Sequence, residues 1–566
     1  MNYTRSVQDR FESEPGQESR SDPWFDAHFD LIAILVLTAA FLVRLRSAWG
    51  TFLNPDEALH YLLANQSTWL LAYKESLTNA HPPLLTFLLH FWRELGTSEF
   101  VLRLPSVIAG TAFCWIFFKW LTLILGEVTG FIGFILVGFL PPLIALSAEV
   151  RQYALLLFFL AAAAYCLERA FADNSAGMML LSAIFLYVAL LTHYSAILFA
   201  AAMGVYSALR IIARSSDKVT SVWIMGQAGA AGLIAALYVS HISKLKGDYA
   251  AGTIQGWLAN SFFRPGHENP FLFAIARTGG VFQYVFGQLA VGDIAYLAFI
   301  AAVVLLLRSK RFTAEPGATS HQLGVLLVLP FLMGAGAAIA RIYPYGGTRH
   351  SAFLIMFAVA GVSLAMSWSV KENLRWGIAL VIFVVAVCNV FGKPHRPYIL
   401  REDQSRMQMT RATEFIRSQI PQSDLIFVDY QTRLLLGYYL CPQQPVPFTA
   451  PIGSLEQFQC GNHRAAAAGP DLYIFTADNF LPRWNQLTHT LSLTPGQHVW
   501  VIQAGWDVNL PNELQRSLPE FKIGGTQWFG KNISITSLPV GDPSPINFHF
   551  RNSEALPRFA FKPYSV

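Results

Sequence analysis

Along the first 391 residues the apolar positions gather into runs long enough to cross a bilayer, which takes about 17–25 residues. Such runs occur near 31–48, 100–118, 128–147, 152–167, 177–192, 194–212, 221–241, 290–307, 322–341, 350–368 and 376–391. The pattern predicts about eleven transmembrane helices, with Pro141-Pro142 kinking the third or ending it early. Residues 271–289 are ambiguous, because glycines interrupt them and Arg277 sits among them. Two further stretches, 58–73 and 84–95, are too short or too broken to span and read as helices lying in the interface. The break in the first falls at Asn65-Gln66-Ser67.

Beyond residue 392 the pattern changes. Short runs at Leu425–Val428, Leu472–Phe475 and Val499–Ile502 read as strands, separated by polar helix candidates such as 405–419. Three parts follow: a polar tail over 1–29, a membrane region over 30–391 with its first outer loop at 49–99, and an α/β domain over 392–566. The tail is too long and too acidic to open a cleaved signal peptide, so the first run is expected to stay in place as an anchor.

Only 13% of residues are charged, against roughly a quarter in soluble proteins, and 54% are hydrophobic. The composition excludes an ordinary soluble protein, and a net charge of +5 gives no reason to invoke nucleic acid. Lys119, Arg169, Arg210 with Arg214 and Lys218, Arg308 with Lys310 and Arg311, and Lys371 with Arg375 fall on alternate loops. Counted as cytoplasmic, they put Asp56, Glu149, His193, Arg349 and the C-terminal domain on the outer face of a cell or inner membrane. Arg44 and Arg46 depart from that rule, which leaves ligand contact and snorkelling both open. Of the five cysteines, Cys441 and Cys460 lie in the C-terminal domain, where a disulfide is open if that domain is extracytoplasmic.

The candidate chemistry sits at the outer ends of the runs. Asp56 and Glu57 are adjacent carboxylates about ten residues past the first span, suited to deprotonating a hydroxyl or holding a metal. Glu57 either positions an acceptor or caps a helix beginning at Ala58. Glu149 and Arg151 flank Val150 and point to different partners: Glu149 to a sugar or acceptor and Arg151 to phosphate, or else the two form an interfacial salt bridge. Arg349-His350 heads a span on the same face, where an arginine is a functional hypothesis by default. Beside these stand His81, held extended before Pro82-Pro83, and His193, and for each an interfacial role competes with a binding role. Arg103, opening the second span, reads as an anchor. No zinc-type His/Cys spacing occurs.

In order, Asp56-Glu57-Ala58, His81-Pro82-Pro83, Arg103-Leu104-Pro105-Ser106 and Glu149-Val150-Arg151-Gln152-Tyr153 resemble the motifs of GT-C membrane glycosyltransferases. The likeness is to the protein O-mannosyltransferases and the aminoarabinose lipid A transferase. It covers about 30–215 well and 320–391 loosely, through Gly347-Thr348-Arg349-His350. The resemblance implies transfer of a sugar from a polyprenyl-phosphate carrier to a lipid, glycan or protein hydroxyl, with inversion. It makes Asp56 the base, kept ionised by a nearby cation, with Glu57 and Glu149 as further catalytic carboxylates. Arg151, Arg349, His81, His193, Tyr153 and His350 would contact the donor's phosphate or sugar. No metal is obligatory, though a divalent cation at Asp56, Glu57 and Glu149 stays open. The competing class is a transporter or flippase of a lipid-linked glycan, which should carry its charges near the midplane on broken helices. On this reading Asp56→Asn costs turnover and leaves donor affinity nearly unchanged.

Overall fold

The computed structural model describes residues 23–213, 216–246, 258–309, 317–392, 405–451, 453–518, 521 and 523–541. Most of the tail expected over 1–29, together with Arg214, Lys310 and Arg311, lies outside the described residues. The membrane region begins with α1 (Pro23–Ala48), then α2 (Pro55–Ala64), α3 (Trp69–Ser76) and α4 (Leu84–Trp92). There follow α5 (Glu99–Leu125), α6 (Glu127–Phe139), α7 (Pro141–Leu146), α8 (Tyr153–Ala172), α9 (Ala176–Leu190), α10 (Ala196–Ala213) and α11 (Asp217–Ser240). The series closes with α12 (Pro270–Phe286), α13 (Leu289–Arg308), α14 (Ser320–Ile339), α15 (Ile355–Ser369) and α16 (Leu374–Phe391). Eight described helices are long and apolar enough to cross a membrane. Three of the expected spans are instead the shorter apolar helices α6, α9 and α10. The ambiguous stretch 271–289 is helix α12, ended by Gly287 in the left-handed region (φ 67°) before α13 returns against it.

Pro141-Pro142 does end the third expected span at Phe139. Two prolines lack the N–H groups that the carbonyls of Val137 and Gly138 would otherwise accept. Arg44, fully buried, supplies them instead: its Nη2 donates to the Val137 carbonyl and its Nη1 to that of Gly138, both at 2.8 Å. Arg44 is therefore neither a ligand contact nor a snorkelling side chain. It repairs a broken helix.

The C-terminal domain comprises α17 (Arg406–Gln419), β1 (Leu425–Val428), α18 (Tyr430–Tyr439), β2 (Leu455–Cys460), β3 (His463–Ala468), α19 (Ala477–Thr490), β4 (His498–Ala504), α20 (Leu510–Ser517), β5 (Thr526–Trp528) and β6 (Ile533–Pro539). The sheet runs β2-β3-β1-β4-β6-β5, with β3, β1 and β4 parallel at its centre. Central β1 is buried throughout, as a strand covered on both faces must be. The strand expected at Leu472–Phe475 is a loop; the carbonyls of Leu472 and Tyr473 accept from the N–H groups of Tyr430 and Gln431 at the start of α18. The neighbouring strand β3, His-Arg and four alanines, gives no β-branched signal, and its pairing with β1 makes it a strand. Cys441 and Cys460 form a disulfide, Cα–Cα 4.9 Å, tying the end of α18 to β2.

Helix α18 packs on α2, so the two regions meet where Asp56 lies. The Tyr439 hydroxyl accepts from Leu53 N–H at 2.7 Å and donates to Glu99 at 3.1 Å. Tyr438 donates to the Thr97 carbonyl at 2.5 Å, and Arg406 N–H donates to the Gly50 carbonyl at 2.9 Å. The loop before α2 is thereby clamped between the membrane helices and the C-terminal domain.

Candidate active site

Asp56 and Glu57 occupy the first turn of α2, not a solvated loop, and the helix starts at Pro55, not Ala58. Asn54 caps it: its side chain accepts from Glu57 N–H, and Glu57 accepts from Asn54 N–H, a reciprocal capping box. Proline at the first helical position costs nothing, because that N–H has no partner in a helix anyway.

The two carboxylates have different partners. Glu57, 1% exposed, faces the protein: Arg103 Nε and Nη2 reach its two oxygens at 2.7 Å each, and Val150 N–H adds 2.9 Å to Oε1. With Asn54 N–H on Oε2, all four acceptor positions of the carboxylate are filled. Arg103 is 2% exposed and also donates to Ala48, Thr51 and Phe52, so it is no snorkelling anchor. This network leaves Glu57 no free acceptor for an acceptor substrate, and it ties the α2 turn to the Val150 turn.

Asp56 has other partners. Arg151 Nη1 lies 2.8 Å and Arg349 Nη2 2.5 Å from its Oδ2. Burial alone would raise the carboxyl's proton affinity, but Arg151, Arg349 and His60 hold it below its ordinary value. Glu149 and Arg151 do not form the alternative interfacial pair, since Arg151 reaches Asp56. The Tyr153 ring backs both guanidiniums, at 5.6 Å from Arg151 and 5.9 Å from Arg349. Tyr153 in turn stands 5.3 Å from the His193 ring, His193 5.3 Å from His81, and His81 5.9 Å from His60. Tyr343 completes the wall, 6.4 Å from His193, and its hydroxyl donates to the His350 carbonyl at 3.2 Å.

Burial, reinforced by Arg151, pushes His60 and His193 down to about 3, and burial with His193 and Arg151 lowers His81 as well. All three imidazoles are neutral at physiological pH. Glu149 goes the other way. Its Oε2 is shut off from solvent without a hydrogen-bond partner, and burial, with Glu57 next, pushes it up to about 7 despite Arg349 and Arg151. Around it, both ring nitrogens of His60, both amide atoms of Gln152, Arg151 Nε, Arg349 Nη1 and the Tyr153 hydroxyl are also buried without a partner in the protein. Buried polar groups are nearly always satisfied, so such a concentration makes this a candidate ligand site.

The structure thus brings together Asp56, Glu149, Arg151, Tyr153, His81, His193, Arg349 and His350, which the sequence placed on four separate segments. Arg341, which is exposed, and Tyr345, which is buried and shares a hydrogen bond with Thr278, stay outside it. The sequence reading missed His60, Gln152 and Tyr343; His60 stands four residues after Asp56, a spacing that shares a helix face. Among the described residues no group of three or more His, Cys, Asp or Glu is placed to hold a metal ion. In this structure Glu57 is bonded to Arg103 and Asp56 to two arginines.

Residues 80–241 match the family model of dolichyl-phosphate-mannose-protein mannosyltransferase, a stretch that includes His81, Glu149, Arg151, Tyr153 and His193. No curated protein matches the chain. Among solved structures the fold is similar to apo ArnT from Cupriavidus metallidurans, at TM-score 0.53 and 12% identity over 90% of this chain and 98% of that one. ArnT bound to undecaprenyl phosphate gives TM-score 0.50 at the same identity and coverage. The Archaeoglobus fulgidus oligosaccharyltransferase tethered with an acceptor peptide gives 0.45 at 12% identity, over 92% of this chain and 77% of that one. The family match covers 162 of the 566 residues and the ArnT likeness, at 12% identity, is one of fold; both are similarities to the GT-C class whose motifs the sequence resembles. Within that class the similarity is to the dolichyl-phosphate-mannose-dependent mannosyltransferases in sequence and to ArnT in fold.

Proposed function

We propose that the protein transfers a sugar from a polyprenyl-phosphate carrier to a hydroxyl acceptor at the extracytoplasmic surface of the cell membrane, with inversion. The observation that carries this is the Asp56–Arg151–Arg349 cluster: one carboxylate and two fixed guanidiniums, each with a buried nitrogen still to be satisfied. Arginine's planar fork suits phosphate oxygens, and the carboxylate suits a hydroxyl proton. The Cys441–Cys460 disulfide supports an oxidising compartment for the C-terminal domain. The fold neighbour ArnT binds undecaprenyl phosphate.

In this reading the acceptor hydroxyl gives its proton to Asp56, and its oxygen bonds to the anomeric carbon. The anomeric carbon–oxygen bond to phosphate breaks, and its electron pair leaves on the polyprenyl phosphate. Arg151 and Arg349 stabilise the negative charge that grows there, a role for which fixed, water-excluded cations are well suited. Glu149, Gln152 and the neutral His60, His81 and His193 supply hydrogen bonds to sugar hydroxyls, and Tyr153 with His350 lines the phosphate side. Glu57 holds the α2 turn in register. No step needs a metal.

The test is purified protein incubated with a panel of polyprenyl-phosphate sugars and candidate acceptors, scored by release of free polyprenyl phosphate. Release that falls by about 10²–10⁴-fold in Asp56→Asn is the expected result, the usual loss for a general base. If no sugar in the panel is released and the protein fails to bind polyprenyl phosphate, the function is wrong.

A further inference from the structure

Both arginines that should clamp the donor phosphate are already in use. Arg151 Nη1 and Arg349 Nη2 converge on the same atom, Asp56 Oδ2, at 2.8 and 2.5 Å. The Tyr153 ring lies beside both guanidiniums, 5.6 Å from Arg151 and 5.9 Å from Arg349. Their remaining buried nitrogens, Arg151 Nε and Arg349 Nη1, have no partner in the protein.

A carboxylate bonded to two cations is a poor proton acceptor, because protonation would forfeit both ion pairs. Yet the reaction needs this carboxylate as a base, and it needs the same two cations on the phosphate. Two anions, Asp56 and the donor's phosphodiester, compete for one pair of guanidiniums.

We propose that Asp56 occupies the phosphate clamp as a placeholder while no donor is bound, and that the arriving phosphodiester takes over Arg151 and Arg349 and so frees Asp56 to act as the base. Donor binding then switches the base on, and acceptor deprotonation follows donor binding. The exchange moves hydrogen bonds only: each guanidinium trades a carboxylate oxygen for a phosphate oxygen. The other groups facing Asp56 and the clamp are His60, His81, His193 and His350, Tyr153, and Glu149, whose Oε2 is buried without a partner in the protein. Glu57 is neutralised by Arg103. This inference rests on the proposed function, and it predicts a different outcome from the expectation that removing the Asp56 charge leaves donor affinity nearly unchanged.

The experiment measures binding of sugar-free polyprenyl phosphate, in detergent micelles, to the parent protein, Asp56→Asn and Asp56→Ala. With the competitor gone, both variants are expected to bind about tenfold or more tighter than the parent while losing turnover, within the usual range of coupling between two ligands. Equal or weaker binding in both variants, with the parent binding normally, overturns the placeholder and leaves the function standing. A parent that binds no polyprenyl phosphate overturns the function and the placeholder together. Should neither variant fold, Glu149→Gln provides a second measurement. A freed Asp56 gains proton affinity, so binding of a polyprenyl methyl phosphodiester, which has no second ionisation of its own, must take up protons at acid pH, read as a buffer-dependent binding enthalpy. Proton uptake in Glu149→Gln supports the exchange, and its absence overturns it.

Discussion

Replacing Arg103 with methionine decides whether Glu57 is a structural or a chemical carboxylate. Arg103 makes six hydrogen bonds, two to Glu57 and four to Ala48, Thr51 and Phe52. Removing it leaves the Glu57 carboxylate buried with only the N–H groups of Asn54 and Val150. Breaking one side of a buried ion pair costs about 3–5 kcal/mol, and the three carbonyls left behind in loop 48–52 put this site at the upper end. Glu57→Gln costs less, about 1–3 kcal/mol, because one amide N–H must face a donor on Arg103, Asn54 or Val150. The double variant should be less destabilised than the sum of the two, since the pair's interaction can be lost only once. The assay is loss of helical circular dichroism on titration of SDS into mixed micelles, with turnover measured below the onset of unfolding. An Arg103→Met protein within about 0.5 kcal/mol of the parent refutes the structural reading, because that is the scale of a neutral surface change. So does a Glu57→Gln protein that keeps the parent's stability but loses turnover.

Arg151→Ala and Arg349→Ala should each weaken polyprenyl phosphate binding by about 1.5–3 kcal/mol, and lysine should restore only part, since the forked geometry is lost; unchanged donor binding in both alanine variants would remove the clamp. Glu149 has a folded-state value of about 7 against an ordinary 4.5, so its neutral form is the one the fold favours. Its contribution is therefore fully present below pH 4.5 and is lost as pH rises through about 7; Glu149→Gln should flatten that fall in stability, measured by SDS unfolding across this window, and an identical pH dependence in both proteins would contradict the assignment. Tyr439→Phe strips Leu53 N–H of its buried acceptor, at a cost of about 1–3 kcal/mol, and should lower turnover through the Asp56 turn more than it raises the donor KM; a KM effect alone would mean that the C-terminal domain does not set the position of Asp56.

The membrane class, the approximate positions of the apolar runs and the change to an α/β region after 392 were legible in the sequence, because length and hydropathy are local properties. So was the set of Asp56, Glu149, Arg151, His193 and Arg349 as polar residues at the ends of apolar runs, since charge there is expensive and shows in composition. The division of labour between Asp56 and Glu57 was not. Adjacent residues on a helix turn point about 100° apart, and only the docking of α5 and the Val150 turn decided which carboxylate Arg103 would consume. Arg44 and Arg103 looked like boundary charges until the structure showed the proline-orphaned carbonyls and the buried carboxylate they satisfy. Strand β3 was invisible because four alanines carry no strand preference of their own, and pairing with β1 supplies it. By itself the sequence determined which side chains could do the chemistry. Tertiary structure decided which of them face one another, because hydrogen bonds and ion pairs between segments 90 or 290 residues apart depend on packing that no local pattern encodes.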